Sequence, residues 1–161
     1  MTWHALQKAA RLARSLDPLR AAPEDVWASG WLLLSEWRLY LAMDPRDRAH
    51  AVRVAQALLR AYPSARGELV AAALLHEVGK AGRVYRVWER VLVGLVPLGL
   101  IPWGPLGRWQ PLRLRLQHPA LGAAAILAAG GRSAVARLVA AHHHPGLDPE
   151  AELLYRFDHS E

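Results

Sequence analysis

A chain of 161 residues, 53% hydrophobic and 21% charged, is long enough to bury a sizeable core as one domain and too apolar to be disordered. It has no cysteine, which excludes disulfides and thiolate metal sites. Its formal net charge of +6 comes almost wholly from arginines spread over every segment. That pattern suits small anionic ligands and argues against nucleic acid, which calls for a concentrated basic face.

In chain order, the apolar spacing reads as helix after helix, with no convincing period-two strand. An amphipathic helix is expected from Trp3 to Leu16, ending at Asp17-Pro18. It is not a continuous apolar run, so it does not read as a signal peptide, and the expected location is the cytoplasm. A second helix, rich in Trp and Leu (Trp27, Trp31, Leu34, Trp37, Leu41), is expected from Glu24 to Ala42. Asp44-Pro45 supplies an N-cap followed by proline at the first helical position. The third helix places His50, Val54, Ala57, Leu58 and Ala61 on one face and ends at Tyr62-Pro63.

The fourth helix is expected from Gly67 to Val78, with Gly79 as its stop. Its run Leu69 to Leu75 is apolar all round, which marks it as the central helix. A fifth is expected from Arg83 to Val96, then a stretch punctuated by Pro and Gly to Gln117. A helix from Pro119 to Ala129 ends at Gly130-Gly131. Ser133 is expected to cap the next, which stops at Pro145-Gly146. Asp148-Pro149 repeats the cap-and-proline device for a last helix reaching Asp158.

The uncharged stretch Val91 to Leu106 is broken by Pro97, Pro102 and Pro105 and is too short to span a membrane. It reads first as an apolar cover on the core. A membrane-surface contact or a homodimer contact is the alternative, since Trp103 and Trp109 suit an interface.

Six places along this helical chain carry residues that bind divalent metals: His50, His76-Glu77, His118, His142, His143 and Asp158. Each has an ordinary reading when taken singly. His50 fits a hydrogen-bonded core histidine, Glu77 an exposed helix end, and His118 a solvent-facing helix start. Cationic histidines after residue 141 would suit a helix C-terminus. Together those readings weaken, because five segments would each need an unrelated reason for a metal-type residue. Competing signatures are missing: there is no phosphate-binding glycine loop, no His-Glu-x-x-His and no Gly-x-Ser-x-Gly.

The order of these residues resembles the HD-domain superfamily of metal-dependent phosphohydrolases. The matching text is Asp47-Arg-Ala-His50-Ala-Val-Arg-Val-Ala, then Ala73-Leu-Leu-His76-Glu77-Val-Gly-Lys80. It continues with His118-Pro-Ala-Leu-Gly122, Leu138-Val-Ala-Ala-His142-His143 and Leu153-Leu-Tyr-Arg-Phe-Asp158. The likeness runs from Asp44 to the C-terminus, with one departure: Glu77 stands where the family has aspartate.

The resemblance implies an all-α, single-domain helical bundle, with residues 44–161 as the HD-type core. Residues 1–43 lie outside it and read as Trp-rich helices packed on that core, with a cover over the site or a dimer surface as the alternatives. It implies a first divalent ion on His50, His76, Glu77 and Asp158. A second would be held by His118 and His142 or His143, with Glu77 bridging. The ions would be Mn, Fe, Ni, Co or Zn. Lys80 is the leading residue for binding phosphate, followed by Arg83 and Arg53. The implied activity is hydrolysis of a phosphate mono- or diester, of a nucleotide or a related small molecule, by a metal-activated water. The alternative is an HD-fold module that binds or senses a nucleotide without turning it over.

Overall fold

The computed structural model describes residues 23–81, 89, 109–146 and 148–161. Among these are seven α-helices, a short 3-10 turn and no strand. The helices are α1 (Asp25–Ser29), α2 (Leu34–Leu41), α3 (Pro45–Ala61), α4 (Gly67–Leu75), α5 (Gln110–Ala128), α6 (Ser133–Ala141) and α7 (Pro149–Ser160), with the 3-10 turn at Val78–Lys80. The chain is an all-α bundle, as its periodicity predicts. The helices expected over Trp3 to Leu16 and Arg83 to Val96 lie outside the described residues, apart from the buried Glu89. So do Arg83 and the uncharged stretch to Leu106. No helix among the described residues is long and apolar enough to cross a membrane.

The core is built on α4. Every residue from Leu69 to Leu75 is buried, which only a helix covered on all sides can achieve. Helices α2, α3, α6 and α7 surround it, while α5 lies across α6 and the 3-10 turn. The two Asp-Pro signals act as read from the sequence. Asp44 accepts the Arg46 amide at 2.9 Å, and Asp148 accepts those of Glu150 and Ala151 at 3.0 and 3.2 Å. Each satisfies amides that a helix start leaves without partners, with proline beside them needing none. Trp27 of α1, Trp31 in the link and Trp37 of α2 lie partly buried against the core.

Four local expectations are corrected. The helix expected from Glu24 to Ala42 is two helices, broken between Ser29 and Leu34. Gly30 ends the first, and Glu36 restarts the chain by accepting the Leu33 amide at 3.0 Å. The fourth helix ends at Leu75 rather than Val78, and Gly79 sits inside the 3-10 turn. A Cβ on Gly79 would lie 2.0 Å from the His118 carbonyl oxygen, so this glycine is set by a close backbone crossing and not by a helix stop.

The helix expected to start at Pro119 begins at Gln110 and holds Pro119 in its interior. Ser133 is the first residue of α6 rather than its cap. The cap position belongs to Arg132, whose backbone and guanidinium are both held by Glu36. Ala61 keeps the angular position of Val54 and Leu58 but is exposed, because α3 ends there. The helix end at Gly130-Gly131 holds: Gly130 takes φ +76°, and the Gly130 and Gly131 amides bond to the Leu127 and Ile126 carbonyls, the bond pair of a Schellman stop.

Candidate metal centre

Three histidines reach the same ground by the same local device. A helix end, or a proline inside a helix, leaves a carbonyl without its usual amide partner. The imidazole three residues further on takes that carbonyl through Nδ1. His76 does so with Ala73 at 2.8 Å, just past the end of α4, and His142 with Val139 at 2.7 Å, just past the end of α6. Within α5, His118 does so with Arg115 at 2.6 Å.

A carbonyl only accepts, so Nδ1 carries the hydrogen in each ring and Nε2 carries the lone pair. Exposure of these three residues is at most 1%. Three fixed imidazole lone pairs are therefore buried on the interior side of the bundle.

Around them the donors fall into two groups. His50, His76 and Asp158 bring ligand atoms within 4.8 Å of one another, and so do His118, His142 and His143. In the first group, Asp158 Oδ1 lies 3.0 Å from His50 Nε2 and 3.4 Å from His76 Nε2. In the second, the Nε2 atoms of His118 and His142 face each other at 3.2 Å. The groups adjoin through the rings of His76 and His142, whose centroids are 5.4 Å apart.

Glu77 stands beside both groups. Its Oε2 is 3.4 Å from His118 Nε2 and carries the Lys80 ammonium in a close ion pair.

Electrostatics places nearly the whole set in a metal-binding protonation state. Burial raises the Asp158 carboxyl, but hydrogen bonds and positive charge from His50 and His76 outweigh it and hold it well below 3.8. Burial likewise opposes Glu77, and the charges of Lys80, His118 and His76 outweigh it, holding it well below 4.5. Burial, reinforced by Lys80, pushes His118 down to about 2. Burial, with His76 and His143 nearby, takes His142 to about 3, and burial takes His143 to about 4 against the pull of Asp158. His76 is the exception. Burial lowers it, yet the Asp158 carboxylate wins and leaves it raised, so the carboxylate field there favours a cation.

These residues fit a divalent ion on two counts. Two lone pairs 3.2 Å apart repel unless a cation lies between them, and adjacent nitrogens around an ion with bonds of about 2.0–2.1 Å are separated by roughly 3.0–3.4 Å. His76 Nε2 is buried with Asp158 Oδ1 3.4 Å away and no hydrogen bond of good geometry, a carboxylate-faced nitrogen that a cation between the two would satisfy. Imidazole with carboxylate suits Zn, Fe, Co, Ni or Mn and not the oxygen-only cages of Ca.

The structure thus gathers His50, His76, His118, His142, His143 and Asp158, with Glu77 and Lys80 beside them. Both His142 and His143 join the cluster; His144 is exposed and belongs to neither group. Arg53 is exposed on α3. Sequence reasoning passed over His159, which forms a further group with His143 and Asp158; its signal was its place directly after Asp158. His118, expected at a helix start, lies buried within α5, which removes the ordinary reading of it as a solvent-facing residue. Comparison of the chain with protein-family models, curated proteins and solved structures finds no match.

Proposed function

We propose that the chain is a metal-dependent phosphohydrolase, holding one or two divalent ions on His50, His76 and Asp158 and on His118, His142 and His143. The observation that carries this reading is the convergence of three buried Nε2 lone pairs, each fixed by an Nδ1 bond to a backbone carbonyl. Divalent ions held there would supply a water of lowered pKa and positive charge to meet phosphoryl oxygens.

The chain's own residues do the rest. The carbonyl-locked rings hold the donors without reorganisation, and Asp158 fixes His50 against His76. Lys80, at Glu77, puts an ammonium where a phosphate would arrive. The net charge of +6 favours anionic substrates. We assign the substrate class as phosphate mono- or diesters, with nucleotides foremost, on the likeness of the motif order to HD-domain enzymes.

The test joins two measurements on untagged protein: elemental analysis of bound metal, and turnover of a panel of phosphate mono- and diesters. His76→Ala and Asp158→Ala should each lose metal and turnover together. Retention of both by either variant overturns the reading.

A second reading, nucleotide binding without hydrolysis, draws support from one observation. The Glu77 carboxylate is engaged by Lys80, which weakens it as a bridging ligand. It predicts a nucleotide that raises the melting temperature and is never hydrolysed.

A further inference from the structure

His76, His118 and His142 are sealed from solvent, with at most 1% exposure. Among the described residues, an ion reaches them past side chains at the rim. On the Glu77 side it meets the Lys80 ammonium, which repels an incoming cation. The partly exposed ring of His50 is already held on Asp158. Among the described residues, the side bordered by His159 is different.

His159, 47% exposed at its side chain, stands next to Asp158 and outside both inner groups. It is kept at the rim by its Nδ1 contact with the Tyr155 carbonyl at 2.8 Å and by the Tyr155 ring, 4.1 Å away between centroids. His143, Asp158 and His159 each bring one donor atom within 4.8 Å of the others.

We propose that His143, Asp158 and His159 form an outer station for divalent cations, through which ions enter and leave the inner site. The inference rests on the metal-centre reading and deepens it. Its decisive point is His143. The His143 ring lies 5.0 Å from His118 and 6.1 Å from His159, between the inner group and the rim.

A neutral imidazole has one lone pair to give. His143 therefore cannot complete the inner group and the outer one at once, so the outer position is a transfer point and not a third resident site. Asp158 has two oxygens. Oδ1 faces His50 and His76, while Oδ2 lies 3.8 Å from His159 Nδ1, so the carboxylate can keep hold of both sides during the hand-over.

The probe is Co(II), followed by its visible absorption in stopped flow, on the full chain and on His159→Gln. Loss of one ligand lowers occupancy of the station, so loading should slow by about tenfold or more. Release to excess chelator should slow by the same factor, because the inner end state is unchanged. Final Co(II) content and equilibrium affinity should match the unaltered chain. Unaltered rates overturn the station while leaving the inner site standing. Lower content or affinity in His159→Gln also overturns it, since His159 would then be a resident ligand. No Co(II) uptake by the unaltered chain overturns the metal-centre reading itself.

Discussion

His118 Nδ1 holds the Arg115 carbonyl at 2.6 Å, the acceptor that Pro119, lacking an N–H, cannot engage. The adjacent His-Pro pair thus works as one unit: the proline removes a rung of the α5 ladder, and the histidine before it occupies the freed oxygen. Nine residues into the helix, this fixes a buried ring with its Nε2 3.2 Å from that of His142.

Pro119→Ala should separate ring positioning from helix stability. Alanine restores the amide that competes with His118 for Arg115, and it removes a proline that costs a helix interior about 3 kcal/mol. The melting temperature should hold or rise, while divalent-metal affinity falls about 10- to 100-fold, the usual scale for loss of a ligand's hydrogen-bonded support. Calorimetric titration beside a thermal melt checks both. Unchanged affinity would mean the carbonyl bond does not orient the ring.

Metal should stabilise the fold by mass action. With free metal at about 100 times its dissociation constant, the gain is about 2.7 kcal/mol. In His142→Ala that increment should shrink, since the group of His118, His142 and His143 loses a donor, although the metal-free variant still melts cooperatively. Urea titrations with and without chelator measure the difference. An equal increment in the variant would place the ion elsewhere.

Gly79 and Gly130 should respond differently to alanine. At Gly79 the new methyl would lie 2.0 Å from the His118 oxygen and 2.8 Å from the Gly122 nitrogen, both backbone atoms, so the 3-10 turn must lift off α5. The expected cost is about 3 kcal/mol or more. At Gly130 there is open space, and only the φ of +76° resists, so the cost is about 1 kcal/mol. Equal denaturation midpoints for the two variants would contradict the crossing.

The buried Glu36–Arg132 pair adds acid sensitivity away from the donor cluster. Burial pushes the Glu36 carboxyl up, but the hydrogen bonds from Arg132 and Leu33 outweigh it and leave it below 4.5. The unfolded chain therefore takes up the proton first. The pair contributes fully above about pH 4.5 and is lost as pH falls through the lower folded value. Glu36→Gln should cost roughly 2–3 kcal/mol at neutral pH by leaving Arg132 poorly matched, and it should flatten the stability curve between about pH 5 and 3. Parallel curves for the two proteins would show that the pair adds nothing.

Much of this architecture was legible because its determinants are local. Asp44-Pro45 and Asp148-Pro149 announce helix starts through one side chain and one ring. The unbroken run Leu69 to Leu75 announces a helix with no solvent face. The metal-type residues were legible by type and order, since a buried histidine beside aliphatic residues needs an explanation of its own.

What stayed hidden depends on tertiary partners. Pro119 looked like a helix start because the carbonyl bond that makes it tolerable inside α5 comes from His118. Gly79 looked like a stop because the α5 backbone that crosses it arrives from about forty positions downstream. Glu36 showed nothing of its burial, since Arg132 is 96 positions away. The ion pair of Lys80 with Glu77 gave no sequence signal beyond their three-residue spacing.

His50 and Asp158 meet across 108 positions of chain, so no short fragment contains the first donor group. Closing a loop of that length costs entropy that grows only slowly with length, and the docking of α7 on α3 and α4 is the step that closes it. The converse bears on how the centre fails. A fluctuation that peels α7 from its neighbours withdraws Asp158 and His159 together and opens the site while α4 can stay packed. The first donor group can come apart by local unfolding well before the fold is lost, and amide exchange in α7 is where that early loss would register.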